Sequence, residues 1–229
     1  MYNNKTASAV LLIAGSSSRF SSTTNKNLEK LNGKYVFMYS LETFNNCEYI
    51  DNIFIVVKDS ELSTVQSILS NFDSNKEITL VVGGNSRQES VFNAITQFTS
   101  DIVVIQDGAR PMLKQEYIEK SLIVLNDFSG VSIAVKSKDT IKLTDNNDIV
   151  TTSTQRENTW IIQTPQSFDR NILVDSHIKQ KDMLGITDDC MLLENLGHKV
   201  KLILGDYSNI KITTQEDMDI IKEIMSKTG

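Results

Sequence analysis

The chain is poor in the residues that most often carry metal or nucleophile chemistry: of 229 residues, two are cysteine and two histidine. Cys47 and Cys190 form neither a CxxC pair nor a disulfide framework, and they read as two buried free thiols of a reducing cytoplasm. His177 and His198 have no second His or Cys at ligand spacing, which argues against zinc and against a Ser-His-Asp triad. Positive charge is also scarce. There are 23 Lys plus Arg against 29 Asp plus Glu, a net charge of −6, with no basic block, the opposite of what a nucleic-acid-coating protein needs. The apolar run Ala9 to Ala14 is far below the roughly 20 residues that span a bilayer, and no basic leader with a small-residue cleavage site precedes it. The expectation is a soluble cytoplasmic chain with no membrane or nucleic-acid partner. With 40% hydrophobic and 23% charged residues it can bury a core as a single domain over 1–229.

What is present has a regular grammar. Ser8 to Ala14, Ile53 to Val57, Ile78 to Val82, Ile102 to Ile105, Val131 to Val135 and Val200 to Leu204 are short apolar runs bounded by polar residues or Gly. Between them lie stretches with helical spacing: Val36-Met38-Tyr39-Leu41-Phe44, Leu62-Val65-Ile68-Leu69, Val91-Ile95-Phe98 and Ile118-Leu122-Leu125. Near-continuously apolar strands alternating with helices imply an α/β fold, a Rossmann-like, mostly parallel sheet with helices on both faces. Thr214 to Asp217 reads as an N-cap with acidic first-turn residues, opening a last helix with Met218, Ile221, Ile224 and Met225 on its apolar side. The polar segment 137–158 departs from the pattern. Asp139 to Thr144 and Ile149 to Thr154 flank the turn-like Asp145-Asn-Asn-Asp148, which predicts a projecting β-hairpin. Such a hairpin is either a dimerisation arm or a flexible surface excursion.

Five of the 23 basic residues are arginine, and Arg19, Arg87, Arg110 and Arg156 fall in loop-like stretches with Gly, Ser, Asp or Pro close by. Arg suits bidentate recognition of phosphate, and open α/β sheets bind ligands beyond the carboxyl ends of their strands, so a polyanionic ligand is expected. The first loop, Ala14-Gly15-Ser16-Ser-Ser18-Arg19, can bring backbone N–H groups to phosphate oxygens, although it matches neither the Walker nor the dinucleotide pattern. Lys26, a few residues on in a polar stretch without helical periodicity, either folds over the same anion or is a solvated loop lysine, the reading that composition alone favours. Gly83-Gly84-Asn85-Ser86-Arg87-Gln88-Glu89-Ser90 lets backbone approach a flat ligand, or is an ordinary strand-to-helix turn. Asp107-Gly108-Ala109-Arg110-Pro111 sets an acid beside the presumed phosphates; Asp107 is either a magnesium ligand or a turn cap.

Taken in order, AGxxxR at 14–19, Lys26, GGxxRxxS at 83–90, DGARP at 107–111, KDTIK at 138–142, Arg156 with Trp160, QTPQSF at 163–168, ITDD at 186–189 and NIKIT at 209–213 resemble the 2-C-methyl-D-erythritol 4-phosphate cytidylyltransferase family over nearly the whole chain. The resemblance implies transfer of CMP from CTP to the methylerythritol phosphate with Mg²⁺, releasing pyrophosphate, in isoprenoid precursor synthesis. It implies that Arg19 and Lys26 hold the triphosphate and that Arg156 and Lys211 bind the acceptor. It places Ala14, Gly15, Ser16, Ser18, Gly84, Asn85, Arg87, Ser90, Asp107 and Gly108 around CTP, and Arg110, Thr140, Thr164 and Thr187 on the acceptor side. It also implies a homodimer in which the arm contributes to the neighbouring subunit's site. Ser17 and Phe20 replace a glycine and a methionine usual in the family's first loop, Asn85 stands where aspartate is frequent, and Asn25-Lys26-Asn27 replaces PKQ. Two alternatives stay open: a ribitol 5-phosphate cytidylyltransferase, and a non-catalytic nucleotide-binding module.

Overall fold

The computed structural model describes residues 4–15 and 25–228. In chain order the elements are β1 (Ala7–Leu12), β2 (Lys30–Leu31), β3 (Lys34–Tyr35), α1 (Val36–Asn46), β4 (Asn52–Val57), α2 (Leu62–Leu69), β5 (Glu77–Val82), α3 (Arg87–Ile95), β6 (Ile102–Asp107), α4 (Gln115–Val124), β7 (Gly130–Lys136), β8 (Lys142–Thr144), β9 (Val150–Ser153), β10 (Trp160–Asp169), α5 (Arg170–Lys179), α6 (Asp189–Asn195), β11 (Val200–Leu204) and α7 (Gln215–Thr228). Seven of the described strands form one sheet in the order β11-β7-β10-β6-β1-β4-β5. All its neighbours pair in parallel except β10, which runs antiparallel to both β6 and β7.

The apolar runs are continuous because both faces of the sheet are covered, so alternate side chains feed two cores. Ala9, Leu11, Ile13, Ile53 and Ile55 pack with Phe37 and Leu41 of α1, Val65 of α2 and Ile118 and Leu122 of α4. Val10, Phe54, Val56, Val103 and Ile105 pack on the other face with Val91 and Ile95 of α3, Leu173 of α5 and Leu192 and Leu193 of α6. Each fully buried Ile or Leu in these layers contributes about 1.5–3 kcal/mol. The last helix starts as expected: Asp217 N–H donates to Thr214 Oγ1 at 3.3 Å while its carboxylate accepts from the Thr213 and Thr214 N–H groups at 2.8 Å. Met218 and Ile221 of α7 then seal a third cluster over Ala109 and Ile212.

Two features escape the apolar pattern. Strand β10 was not expected, because its interior side chains Gln163, Thr164, Gln166 and Ser167 are polar yet buried. They are tolerated there because each is bonded: Gln163 Nε2 donates to the Asp206 carbonyl at 2.9 Å, Gln166 Nε2 to Asp188 Oδ2 at 2.9 Å, and Ser167 pairs with Ser121 at 2.7 Å. Helices α5 and α6 are likewise not among the elements that the apolar spacing predicts. The hairpin is present but shorter than its sequence signal, with β8 and β9 flanking a turn in which Asp145 Oδ1 accepts from the Asn147 and Ile149 N–H groups. Residues 138–153 are exposed throughout.

The parallel order β6-β1-β4-β5 aligns four carboxyl ends on one edge. Backbone bonds continue the ladders into the loops there: Gly108 N–H to the Leu12 carbonyl, Ile13 N–H to Val56 and Gly83 N–H to Val57, each 2.9 Å.

Candidate active site

A cavity of about 550 Å³ opens over these strand ends. Ala14 and Gly15 line it after β1, Lys58 after β4, Gly84, Asn85, Arg87 and Ser90 after β5, Asp107 at the end of β6, with Lys26, Asn27 and Lys211 closing it. The glycines are needed for close approach: a Cβ on Gly83 would lie 2.8 Å from Ala14 Cβ, and one on Gly108 3.0 Å from Asn27 Oδ1. Ser86 caps α3 by accepting from the Glu89 N–H at 3.0 Å, Glu89 Oε2 accepts from the Asn85 N–H at 2.7 Å, and Ser90 Oγ accepts from the Gly84 N–H at 3.0 Å. The loop is therefore held rigid at the mouth of the cavity.

Lys26 is buried, 8% exposed, and is not the solvated loop lysine that composition suggested. Its neighbours explain why. Asn25 Nδ2 and Asn27 Nδ2 donate to the Ile13 carbonyl at 2.8 and 3.2 Å, and Asn25 Oδ1 accepts from the Asn27 N–H at 3.1 Å. Asn25 Nδ2 also reaches Glu61 Oε2 at 2.7 Å. The two asparagines thus pin the chain around Lys26 to the end of β1, and the departure from PKQ supplies a local anchor.

The charges converge on Asp107. Lys211 Nζ lies 2.7 Å from its Oδ2, Arg110 Nε 3.8 Å from Oδ2 and Arg87 Nε 3.8 Å from Oδ1. Burial alone would raise the Asp107 pKa, but Lys211, Arg87 and Arg110 together hold it well below the usual carboxylate range. Arg87 is bound a second time, Nη1 to Asp189 Oδ2 at 2.6 Å, and the pull of Asp189 and Asp107 overcomes burial and fixes its charge. Asp189 is buried and also faces His177 Nε2 at 3.5 Å; burial pushes its pKa up, Arg87 and His177 pull it down, and the net direction is down. Neither Asp189 nor His177 was a candidate on sequence. The signal was the last acid of ITDD, which begins a helix, but its partner is 102 positions away.

Other expected residues support the cavity from outside. Thr164 Oγ1 accepts from the Asp107 N–H at 3.1 Å. Arg110 Nη1 donates to the Asn209 carbonyl at 2.7 Å and Ile212 N–H to the Ala109 carbonyl at 2.8 Å, which clamps the 209–212 segment and presents Lys211. Arg156 and Thr140 do come together, Nη2 to Oγ1 at 2.9 Å, but at the base of the exposed hairpin and not in this cavity. Thr187 is exposed before α6 and does not line it. Ser16, Ser18 and Arg19 lie outside the described residues. Among the described residues no group of three or more His, Cys, Asp or Glu could hold a metal ion, so a cation here would depend on ligand phosphates with Asp107 as its single carboxylate.

Residues 7–227 match the family described as IspD: 2-C-methyl-D-erythritol 4-phosphate cytidylyltransferase. The chain is 39% identical over 225 residues to a protein of that name from Caldanaerobacter subterraneus subsp. tengcongensis, covering 96% of this chain and 99% of the relative. It is 38% identical to the one from Clostridium tetani, covering 96% and 90%. A crystal structure of 4-diphosphocytidyl-2C-methyl-D-erythritol synthase from Anaerococcus prevotii superposes with a TM-score of 0.86 at 32% identity, covering 97% of this chain and 99% of that one.

Proposed function

The chain belongs to the 2-C-methyl-D-erythritol 4-phosphate cytidylyltransferase family, and on that premise we propose how its residues divide the work. It is a nucleotidyltransferase that moves CMP from CTP onto 2-C-methyl-D-erythritol 4-phosphate, giving 4-diphosphocytidyl-2-C-methyl-D-erythritol and pyrophosphate in isoprenoid precursor synthesis. The ribitol phosphate and non-catalytic alternatives are set aside, since these matches name the methylerythritol acceptor and an enzyme.

A phosphate monoester is largely dianionic at neutral pH, its second pKa being about 6, so the acceptor attacks the α-phosphorus without a general base. The task left to the protein is to hold two anions in line while charge builds on the departing pyrophosphate. In our reading Lys26 and Arg19 take the triphosphate, and Gly84, Asn85 and Ser90 take the base at the rigid loop. Lys211, steered by Asp107 and Arg110, takes the acceptor phosphate. Magnesium fits this donor set only as an ion held mainly by the phosphates, with Asp107 contributing one carboxylate; bound, it would neutralise phosphate charge. The observation that carries the reading is the convergence of Lys26, Arg87 and Lys211 on one cavity around Asp107.

Arg156 and Thr140 sit apart from that cavity, and the hairpin beside them exposes Leu143, Ile149 and Val150, 52–63% accessible, with no core of its own. An isolated two-stranded hairpin is marginal in water. We therefore read 137–158 as the arm of a homodimer that carries Arg156 to the neighbouring subunit's acceptor site, on a chain that is otherwise one cytidylyltransferase domain. The two free, buried cysteines suit the cytoplasm. Pyrophosphate release with CTP and either methylerythritol phosphate or ribitol 5-phosphate tests the whole: release with the first alone is expected, and release with the second alone would overturn the acceptor assignment.

A further inference from the structure

Lys58 lines the same cavity, yet neither its position in a motif nor any step above accounts for it. It follows β4, which lies between β1 and β5, and both flanking loops are tied to the last residues of that strand through the Ile13–Val56 and Gly83–Val57 backbone bonds. The cavity lip over β4 thus places a cationic side chain on a fixed backbone between the Ala14-Gly15 turn and the Gly83-Gly84 turn.

Its carboxylate partner holds it loosely. Lys58 Nζ is 3.7 Å from Glu61 Oε1, beyond hydrogen-bond distance, and its side chain is 37% exposed. The other Glu61 oxygen accepts from Asn25 Nδ2 at 2.7 Å. An exposed, long ion pair of this kind contributes little, so the ammonium can leave Glu61 for a stronger anion at small cost. By contrast Lys211 and Arg87 are held by close, buried carboxylates at 2.7 and 2.6 Å.

The direction of the reaction says which anion. Within this cavity the acceptor-side cations, Lys211 and Arg110, lie at Asp107 over β6, and in-line displacement sends the leaving group away from the attacking oxygen. The departing side is the one over β1 and β4, where Lys58 stands. We propose that Lys58 is a further substrate-binding residue, gripping the outer phosphates of CTP, the pair that leaves as pyrophosphate. This deepens the nucleotide reading of the cavity and rests on it.

The test is steady-state kinetics of Lys58→Gln and Lys58→Arg, with pyrophosphate and CMP as inhibitors. Lys58→Gln is expected to raise KM for CTP and the inhibition constant of pyrophosphate at least about tenfold, the size of one charge-assisted contact. CMP, which lacks the outer phosphates, is expected to inhibit both variants as it does the wild type, and KM for the acceptor is expected to stay within twofold. Arg at this position should restore most of the affinity. Unchanged pyrophosphate inhibition in Lys58→Gln overturns the assignment, and so does an equal loss for CMP, which would place the contact elsewhere on the nucleotide. Lys26→Ala, run alongside, separates the two levels: normal turnover in that variant removes the cavity reading and the Lys58 assignment together, whereas impaired Lys26→Ala with normal Lys58→Gln removes only the latter.

Discussion

Lys211 Nζ stands 2.7 Å from Asp107 Oδ2, joining the segment before the last helix to the end of a central strand. The contact sets the lysine's direction before any substrate arrives. Replacing Lys211 with Ala should chiefly weaken the acceptor, raising its KM at least tenfold while CTP binding is kept. Asp107→Asn should do more damage, because it leaves Lys211, Arg87 and Arg110 crowded without their counter-charge. A stability loss of about 3 kcal/mol is expected by urea unfolding. Unaltered acceptor kinetics in Lys211→Ala would remove it from the acceptor site.

Lys26 is expected to act on the chemistry. Lys26→Ala should lower kcat on the order of 10²- to 10³-fold. Arg19→Ala should behave alike. Folding should be little changed in Lys26→Ala, so its melting temperature should fall by only a few degrees; near-normal pyrophosphate release would end the catalytic assignment of either residue.

Asn25 should matter through Lys26. Removing its amide takes away one of the two donors to the Ile13 carbonyl, the bond to Glu61 and the acceptor for the Asn27 N–H, so Asn25→Ala should lose about tenfold in kcat with Lys26 still present. In the Lys26→Ala background the same change should cost little more. Additive losses in the double variant would show that Asn25 acts independently.

Acid should expose the Asp189 anchor. Its pKa is depressed in the folded protein, so its contribution to stability is complete above the ordinary value of 3.8 and is lost as pH falls below it. Urea midpoints measured at pH 6 and pH 3 should therefore converge more in Asp189→Asn than in the wild type. Parallel acid losses in the two proteins would refute the linkage.

The arm can be tested by complementation. Lys26→Ala has a damaged cavity and a sound arm, Arg156→Ala the reverse. If the arm serves the neighbouring subunit, mixing the two inactive dimers should restore about a quarter of wild-type activity, one sound composite site in each mixed dimer. No recovery after verified subunit exchange would place Arg156 at its own chain's site.

Much of this was legible in the chain. The parallel strands announce themselves because they are buried on both faces and so are written in unbroken Val, Ile and Leu. Loops such as Gly83 to Ser90 stand out because Gly, Ser and Arg cluster where an apolar run ends. Strand β10 was invisible for the opposite reason: Gln163, Thr164 and Gln166 look like surface, and only bonds to Asp206, Asp107 and Asp188 make their burial tolerable. The burial of Lys26 is hidden from composition in the same way, since it depends on two amides reaching back to Ile13, whereas its place beside the ligand loops follows from the family resemblance.

Local pattern by itself determined the layered α/β architecture, the projecting hairpin and the set of loops that would face a ligand, because periodicity and turn chemistry act over a few residues. Which charges meet was decided only by the fold. Arg87 finds Asp189, and Lys211 finds Asp107, each across nearly half the length of the chain, and Coulomb attraction of that strength needs the ångström-scale distances that strand order alone creates.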